Sequence, residues 1–359
     1  MKYQHFQTLK PLCPACVTHH RQEEPLQLGK VVHATEHEVL EGTLVCGRPE
    51  CGSVYPIIDG IPILVADLAH YLNQHAHEIL WRNDLDHVLQ SCIGDALGAG
   101  VVFDNNRHYL SAYVDGHYRD MDPLLAELSA EAPVMRFLAD DLESAPGPKL
   151  DVGCSVGRIT FELGIRAPSE TVLGIDLNFT MLRFARRLTQ SEAVPYPRKR
   201  VGVVYDHHAI SYPASHGASN VDFWACDACA LPFSEESFGQ VTSLNVLDCV
   251  PSPTQHLQEI LRLLRPEGRA LLSTPFDWSA PVTPMHAWLG GHSQHNEWHG
   301  ESSEILFETL GLLKDHEESH FEIQSKRDIP WEVRIHQRNT ALYHSLLLDL
   351  KKIATGETR

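Results

Sequence analysis

The sequence predicts an α/β protein built on a doubly wound parallel sheet, preceded by a small β-rich metal-binding domain and a helical connector. Three observations predict it. KLDVGCSVG at 149–157 is an apolar strand running into a glycine-rich turn, and beyond it apolar strands alternate with amphipathic helices. Cysteines at 13, 16, 46 and 51 crowd the first part of the chain. Between the two lie segments with apolar residues at helical spacing, such as LAHYLNQHAHEIL. The expected division is therefore 1–66, 67–145 and 146–359.

At 359 residues the chain is long enough for two or three cores, and no apolar run approaches the 18 or so residues of a membrane span. MKYQHFQTLKPLCPAC lacks the apolar stretch of a signal peptide, so the reading is cytoplasmic. The formal net charge of −18 opposes nucleic-acid binding, which draws on phosphate neutralisation by Lys and Arg. The densest basic cluster, Arg183, Arg186 and Arg187, has the spacing of a solvated helix face.

In the first domain, Cys13 and Cys16 form a C-x-x-C knuckle, and Cys46 with Cys51 a wider one. Two knuckles across a β-rich spacer supply the four thiolates of a structural zinc site, replacing a core that some 55 residues cannot build. His33 or His37 offers an alternative ligand, and a ribbon that keeps its cysteines without metal is the bland alternative. GSVYPIIDGIPIL then reads as a hairpin turning at Asp-Gly. This segment resembles the zinc-ribbon-like small activator subunit of certain tRNA and protein methyltransferases, although the second knuckle is wider than theirs. A closed four-thiolate shell leaves no open position for catalysis.

In the connector, LLAELSAEAPVMRFLADDL (124–142) reads as helical, whereas NNRHYLSAYVDGHYRD (105–120) reads as a loop bounded by Asp-Gly. Its Tyr113 and Tyr118 either close over an active site or pack the domain junction. SAPGP at 144–148 separates this region from the sheet domain.

The glycine turn alone is compatible with NAD, FAD or a nucleoside ligand. Three later blocks narrow it. VLGIDL ends a strand in Asp176, placed to hold ribose hydroxyls. DFWACDACALPFSEESF is a strand followed by a Cys-Asp-Ala turn. QVTSLNVLDCVPSPTQHLQEILRLLRPEGRALLSTP gives strand, helix, Pro-Glu-Gly turn and strand. Together LDVGCSVG, CDACALPFSEESFG and LRPEGRALLSTP resemble the class I S-adenosylmethionine-dependent methyltransferases over roughly 135–275.

That resemblance implies a Rossmann-like methyltransferase sheet and a set of cofactor contacts. Asp151, Gly153, Cys154, Ser155 and Gly157 would surround the methionine moiety, and Asp176 with Leu177 the ribose. Asp227 and Ala228 would face the adenine, and Asn245 and Val246 the floor beneath the sulfonium. Ser155 replaces a glycine, which is tolerable if that position keeps a negative φ. The C-x-x-C of Cys226 and Cys229 brackets Asp227 and reads as packing. Segment 189–220 is a long, polar insertion, expected to be exposed.

The acceptor pocket is expected from 246–251 and 275–300. STPFDWSAPVTPMHAWLGG and the later DIPWEVRIHQRNTALYHSLLL resemble the methyltransferase domain at the end of the ovothiol-biosynthesis enzyme, which methylates an imidazole nitrogen of mercaptohistidine. The resemblance implies a polar small-molecule acceptor, with Trp278, Trp288, Tyr113 and Tyr118 as walls. His292 and His295, within GGHSQHNEWHG, are the candidates to handle a proton; Gly290-Gly291 and Gly300 argue against a helix and a metal there. Two other functions fit: an RNA or protein methyltransferase with its own activator domain, and a non-catalytic scaffold gripping a protein partner through the ribbon.

Overall fold

A computed structural model describes residues 1–82, 85–125, 131–138, 145–215, 218–295, 297–314 and 319–353. The chain opens with α1 (Tyr3–Leu9) and a π-helical turn, Cys16–His20, then lays down β1 (Leu26–Ala34), β2 (Val39–Cys46), β3 (Val54–Ile58) and β4 (Ile61–Leu64). The predicted hairpin is β3–β4. Asp59 and Gly60 turn it with φ of 53° and 77°, the doubly positive pair that a two-residue turn between twisted strands requires.

The connector supplies α2 (Leu68–Leu80), α3 (His87–Leu97) and α4 (Val102–Tyr118). α4 replaces the expected loop. The Asp115-Gly116 pair sits inside the helix because the Asp115 carboxylate is engaged by Arg119 at 2.7 Å and Arg198 at 2.8 Å, which leaves it unable to cap a turn. Of the helix expected over 124–142, residues Pro133–Phe137 form a 3₁₀ turn, while 126–130 and 139–142 lie outside the described residues.

The remaining elements are β5 (Lys149–Val152), α5 (Arg158–Arg166), β6 (Val172–Asp176), α6 (Phe179–Gln190), β7 (Val194–Val201), β8 (Val204–Ile210), β9 (Val221–Cys226), β10 (Phe238–Leu244), α7 (Pro253–Leu263), β11 (Leu264–Thr274), α8 (Ser302–Leu312), β12 (His320–His336) and β13 (Asn339–Ile353). The caps are local. Asn178 accepts from Met181 N at 3.0 Å to start α6, and Ser252 precedes Pro253 at the start of α7.

Eleven strands form one sheet in the order β1-β2-β3-β4-β9-β6-β5-β10-β11-β13-β12. From β4 to β11 every neighbouring pair is parallel; the two flanks are antiparallel. The fold is thus mixed α/β with a large, mostly parallel central sheet. β5 and β9 are buried along their whole length because both faces are covered. One face packs on α1, α7 and α8 with the cysteine cluster, the other on α2 and α4 to α6.

The 189–220 insertion is a β7–β8 hairpin, and it is less exposed than expected. Val194, Tyr196 and Ile210 are buried, and Lys199 N donates to Ser111 Oγ on α4 at 2.8 Å. Its tip, with Val201 and Val204, is open, as are Pro195 and His207 along the strands.

Candidate functional site

The carboxyl ends of β5, β6, β9 and β10 meet around the glycine turn. Gly153 has φ 70°, and a Cβ there would lie 2.3 Å from Val246 Cγ2, so only glycine lets the β5 turn approach the β10 loop. Gly157 has φ 86° and a Cβ would meet Phe223 at 2.8 Å. Ser155 departs from the expectation of negative φ: it sits at 53°, in the left-handed region. Its N–H donates to Asp176 Oδ2 at 2.9 Å and its hydroxyl to Met181 Sδ at 3.2 Å, which holds the strained backbone in place.

Asp176 ties the turn to β6, since Asn178 N donates to its other oxygen at 2.8 Å. Burial raises its carboxyl above the usual range. Asp151 is wholly buried and accepts from Thr160 Oγ1 on α5 at 2.6 Å; burial pushes it up to about 7. Cys154 is buried, its N–H donating to Ile175 O at 2.9 Å. Leu177 is 36% exposed, and its carbonyl accepts from the Tyr71 hydroxyl on α2 at 2.8 Å. Glu78, also on α2, accepts from Phe179 N at 2.9 Å, so the connector braces the β6–α6 corner.

At the end of β9, Asp227 accepts from Cys229 N at 2.8 Å in a tight turn. The Ala228 carbonyl lies 3.1 Å from His256 Nδ1, and His256 Nε2 lies 2.9 Å from Ser243 Oγ. Burial lowers His256 to about 4, so the ring is neutral: Nδ1 donates to Ala228 and Nε2 accepts from Ser243. His256 positions this turn, a role that sequence spacing did not reveal. Asn245, at φ 56°, donates its N–H to Ser273 O at 2.9 Å and accepts from the Ser273 hydroxyl at 3.0 Å.

On the acceptor side, Trp278 and Trp288 stack at 5.9 Å with planes 9° apart. Gly290 and Gly291, with φ of 85° and 72°, carry the loop past them; a Cβ on Gly291 would lie 3.1 Å from Trp278 Nε1. Trp288 Nε1 donates to Thr283 O at 2.8 Å, whereas Trp278 Nε1 is buried without a partner among the described residues. His292 lies edge-on to Trp288 and bonds through Nδ1 to Gly290 O at 3.1 Å. His295 is exposed. The Tyr113 ring is 40% exposed on α4, and burial of its hydroxyl, with Cys249, Asp176 and Asp248 adding to it, raises the phenol. Tyr118 is absent from this wall. It is fully buried, donates to Val156 O at 2.9 Å, and packs on Tyr212 and Phe184 in the core.

Three more residues converge here that sequence reasoning missed. Asp248, 2% exposed, follows the Asn245-Val246 floor, and its Oδ1 has no hydrogen-bond partner among the described residues. Its carbonyl accepts from Ser279 N at 2.9 Å and Thr283 Oγ1 at 3.2 Å, which fixes the 275–283 loop against it. Asp277 enters from that loop and Tyr343 from β13, where burial, with Asp277 nearby, raises the phenol. Burial, with Asp277 beside it, raises the Asp248 carboxyl to about 6.

The four N-terminal cysteines form a separate centre. Their sulfurs all lie within 4.8 Å of one another, with Cys13–Cys51 at 3.8 Å and Cys16–Cys46 at 3.6 Å. Ligands about 2.3 Å from a tetrahedral zinc stand about 3.8 Å apart, so the set fits the ion and is far too open for disulfides. Ala15 N donates to the Tyr55 hydroxyl, itself 3.3 Å from Cys13 Sγ. A cavity of about 360 Å³ lies elsewhere, between α2–α4, α6 and the β7–β8 hairpin, and none of the residues discussed as cofactor or acceptor contacts lines it.

Residues 150–272 match the family described as Methyltransferase domain. Methyltransferase GfsG of Streptomyces halstedii is 26% identical over 174 residues, 48% of this chain and 52% of that protein. The demethylmenaquinone methyltransferase of Lactococcus lactis is 30% identical over 138 residues, 38% of this chain and 44% of that protein. The chain thus spans about half the length of these curated relatives. A solved SAM-dependent methyltransferase from Methanosarcina mazei is 20% identical at a TM-score of 0.38, covering 63% of this chain and 100% of its own.

Proposed function

We propose, with the methyltransferase domain as premise, that the protein methylates a polar small molecule from S-adenosylmethionine, at an imidazole nitrogen or thiol of a histidine-derived metabolite similar to mercaptohistidine. The observation that carries it is the convergence of the Gly153–Gly157 turn, Asp176, the Asp227 turn and Asn245-Val246 on one edge of the sheet, beside a stacked tryptophan pair. The cofactor supplies an electrophilic methyl group on a sulfonium. Asp151, Gly153, Cys154, Ser155 and Gly157 form the methionine side of the site. Asp176 and Leu177 hold the ribose, Asp227 and Ala228 the adenine, and Asn245 and Val246 the floor. In-line transfer needs positioning above all, and a base only where the attacking atom carries a proton. Trp278, Trp288 and Tyr113 wall the acceptor, and His292, lodged against Trp288, is better placed than His295 to touch it.

Cys13, Cys16, Cys46 and Cys51 hold a structural zinc in a ribbon of residues 1–66; 67–145 act as connector and cap, and 146–359 as the catalytic unit. A second reading, an RNA or protein methyltransferase with a built-in activator, is favoured by the parallel pairing of β4 with β9, which makes the ribbon part of the catalytic sheet. The charge of −18 weighs against RNA. A scaffold using the ribbon to grip a protein is the reading left if the cofactor does not bind. The test is transfer of labelled methyl from the cofactor to a small-metabolite pool containing histidine-derived thiols, to bulk tRNA, and to protein. Label in the small-molecule fraction alone is expected. Label only in tRNA or protein would transfer the assignment to the second reading.

A further inference from the structure

Resting on that methyltransferase reading, we infer that the acceptor is a small cation bearing an amine or imidazole group, that Asp248 takes the proton this group sheds on methylation, and that Asp277 with Tyr343 holds the cation.

Asp248 is the most buried acid of the cluster, at 2% exposure, and its Oδ1 bonds to nothing among the described residues. A buried carboxylate oxygen without a donor is costly unless a ligand supplies one. Its place in the chain argues which ligand. It stands three residues beyond Asn245, in the same loop whose Val246 lies against Gly153 and is expected to floor the sulfonium. The surroundings select for positive charge. Burial acts most on Asp248, Cys249, Tyr113 and Tyr343 and keeps the thiol and phenols uncharged, so the charged groups acting on them are carboxylates, Asp277 on Asp248 and Tyr343 and Asp176 on Tyr113. The Trp278–Trp288 stack and the Trp331–Tyr343 pair, 5.6 Å apart, add ring faces of the kind that attract cations. An anionic acceptor, such as a phenolate, would be repelled by this set.

The step balances without another reactant. The acceptor nitrogen's lone pair forms the N–CH₃ bond as the C–S bond of the sulfonium breaks, and the bonding pair stays with sulfur. The proton shed, from the attacking nitrogen of an amine or from the other ring nitrogen of an imidazole, passes to Asp248 Oδ1 and from there to solvent. A carboxyl raised to about 6 by burial is ionised at neutral pH yet basic enough to accept it. Protonating Asp248 removes the base, so turnover falls as pH drops below about 6.

The experiment uses the full chain loaded with S-adenosylhomocysteine, whose binding is measured first. Histamine and histidine methyl ester serve as cationic imidazoles and 3,4-dihydroxybenzoate as an anionic phenol, with tryptophan fluorescence and calorimetry as readouts. The cations are expected to bind and the phenol not. Asp277→Asn should weaken cation binding about 10-fold or more. Asp248→Asn should leave cation affinity within a few-fold, cut methylation of the bound cation by about 10²–10⁴-fold, and abolish the acid limb near pH 6. Both variants should bind S-adenosylhomocysteine as the parent does. Preferential binding of the phenol, no binding or no methylation of either cation, unchanged cation affinity in Asp277→Asn, or a surviving acid limb in Asp248→Asn each overturns the inference. Failure of the parent to bind S-adenosylhomocysteine defeats the methyltransferase reading instead.

Discussion

Asp151 shows how one buried side chain couples the glycine turn to stability. It is 2% exposed on β5, its oxygen accepts from Thr160, and burial holds it at about 7, against about 3.9 for an exposed aspartate. The folded chain therefore binds a proton that the unfolded chain has already lost. That contribution is fully present below about pH 4 and is lost as pH rises through 7. Three units correspond to at most about 4 kcal/mol. Asp151→Asn keeps the Thr160 bond and cannot ionise. In ligand-free protein it should raise the Tm more at pH 8 than at pH 5; an equal shift at both would show that Asp151 does not ionise in the folded state. The same residue scale explains what sequence reading reached and what it did not. Gly153 and Gly157 were legible because a turn with positive φ has few other solutions. Asp248 was not: a lone Asp in NVLDCV carries no pattern, and its meaning depends on Asp277 and Tyr343, which only the fold brings to it.

Among elements, those defined by nearest neighbours in sequence were legible and those defined by distant partners were not. The β3–β4 hairpin follows from Asp59-Gly60, and α7 from Ser252-Pro253. α4 and the β7–β8 hairpin are settled by each other: Arg198 and Lys199 on β7 reach Asp115 and Ser111 on α4, and Tyr196 donates to Asp122 at 2.8 Å. The N-terminal β-rich segment is where the proposed zinc would let chemistry substitute for size. Its long β1 is mostly exposed, so the knuckles and the β2–β3 pairing carry its order. Zinc held by four thiolates contributes directly to folding free energy. The purified protein is expected to carry about one zinc per chain, and Cys16→Ser or a strong chelator to release it and lower the Tm by several degrees. A metal-free protein by mass spectrometry, with a Tm indifferent to chelator, would mean that the thiols order the ribbon unaided.

Across the whole molecule, the N-terminal strands and the central sheet are continuous. Ile63 and Leu64 of β4 pair in parallel with Ala225 and Cys226 of β9, and all four are buried. Charge reinforces the seam. Arg186 of α6 is 1% exposed and bonds to Glu38 beside the ribbon strands at 2.5 Å and to Asp222 of β9 at 3.3 Å, while Arg183 reaches Asp59 of the β3–β4 turn at 2.7 Å. Separating the ribbon would uncover the edge of β9, a template for unwanted strand pairing, and leave Arg186 and Asp222 without Glu38. Breaking a buried ionic group of this kind costs about 3–5 kcal/mol, comparable with the net stability of many domains. A fragment comprising 67–359 should therefore be insoluble or unfolded when expressed alone, and co-expression of 1–66 should return it to solution as a complex. A monomeric, soluble 67–359 with the Tm of the full chain would show that the shared sheet contributes nothing the catalytic half lacks, and would reduce the ribbon to an appendage. The outcome also bears on the acceptor side, because β9 ends in the Asp227 turn: if the ribbon sets the register of β9, its loss should weaken cofactor binding even in whatever fraction stays folded.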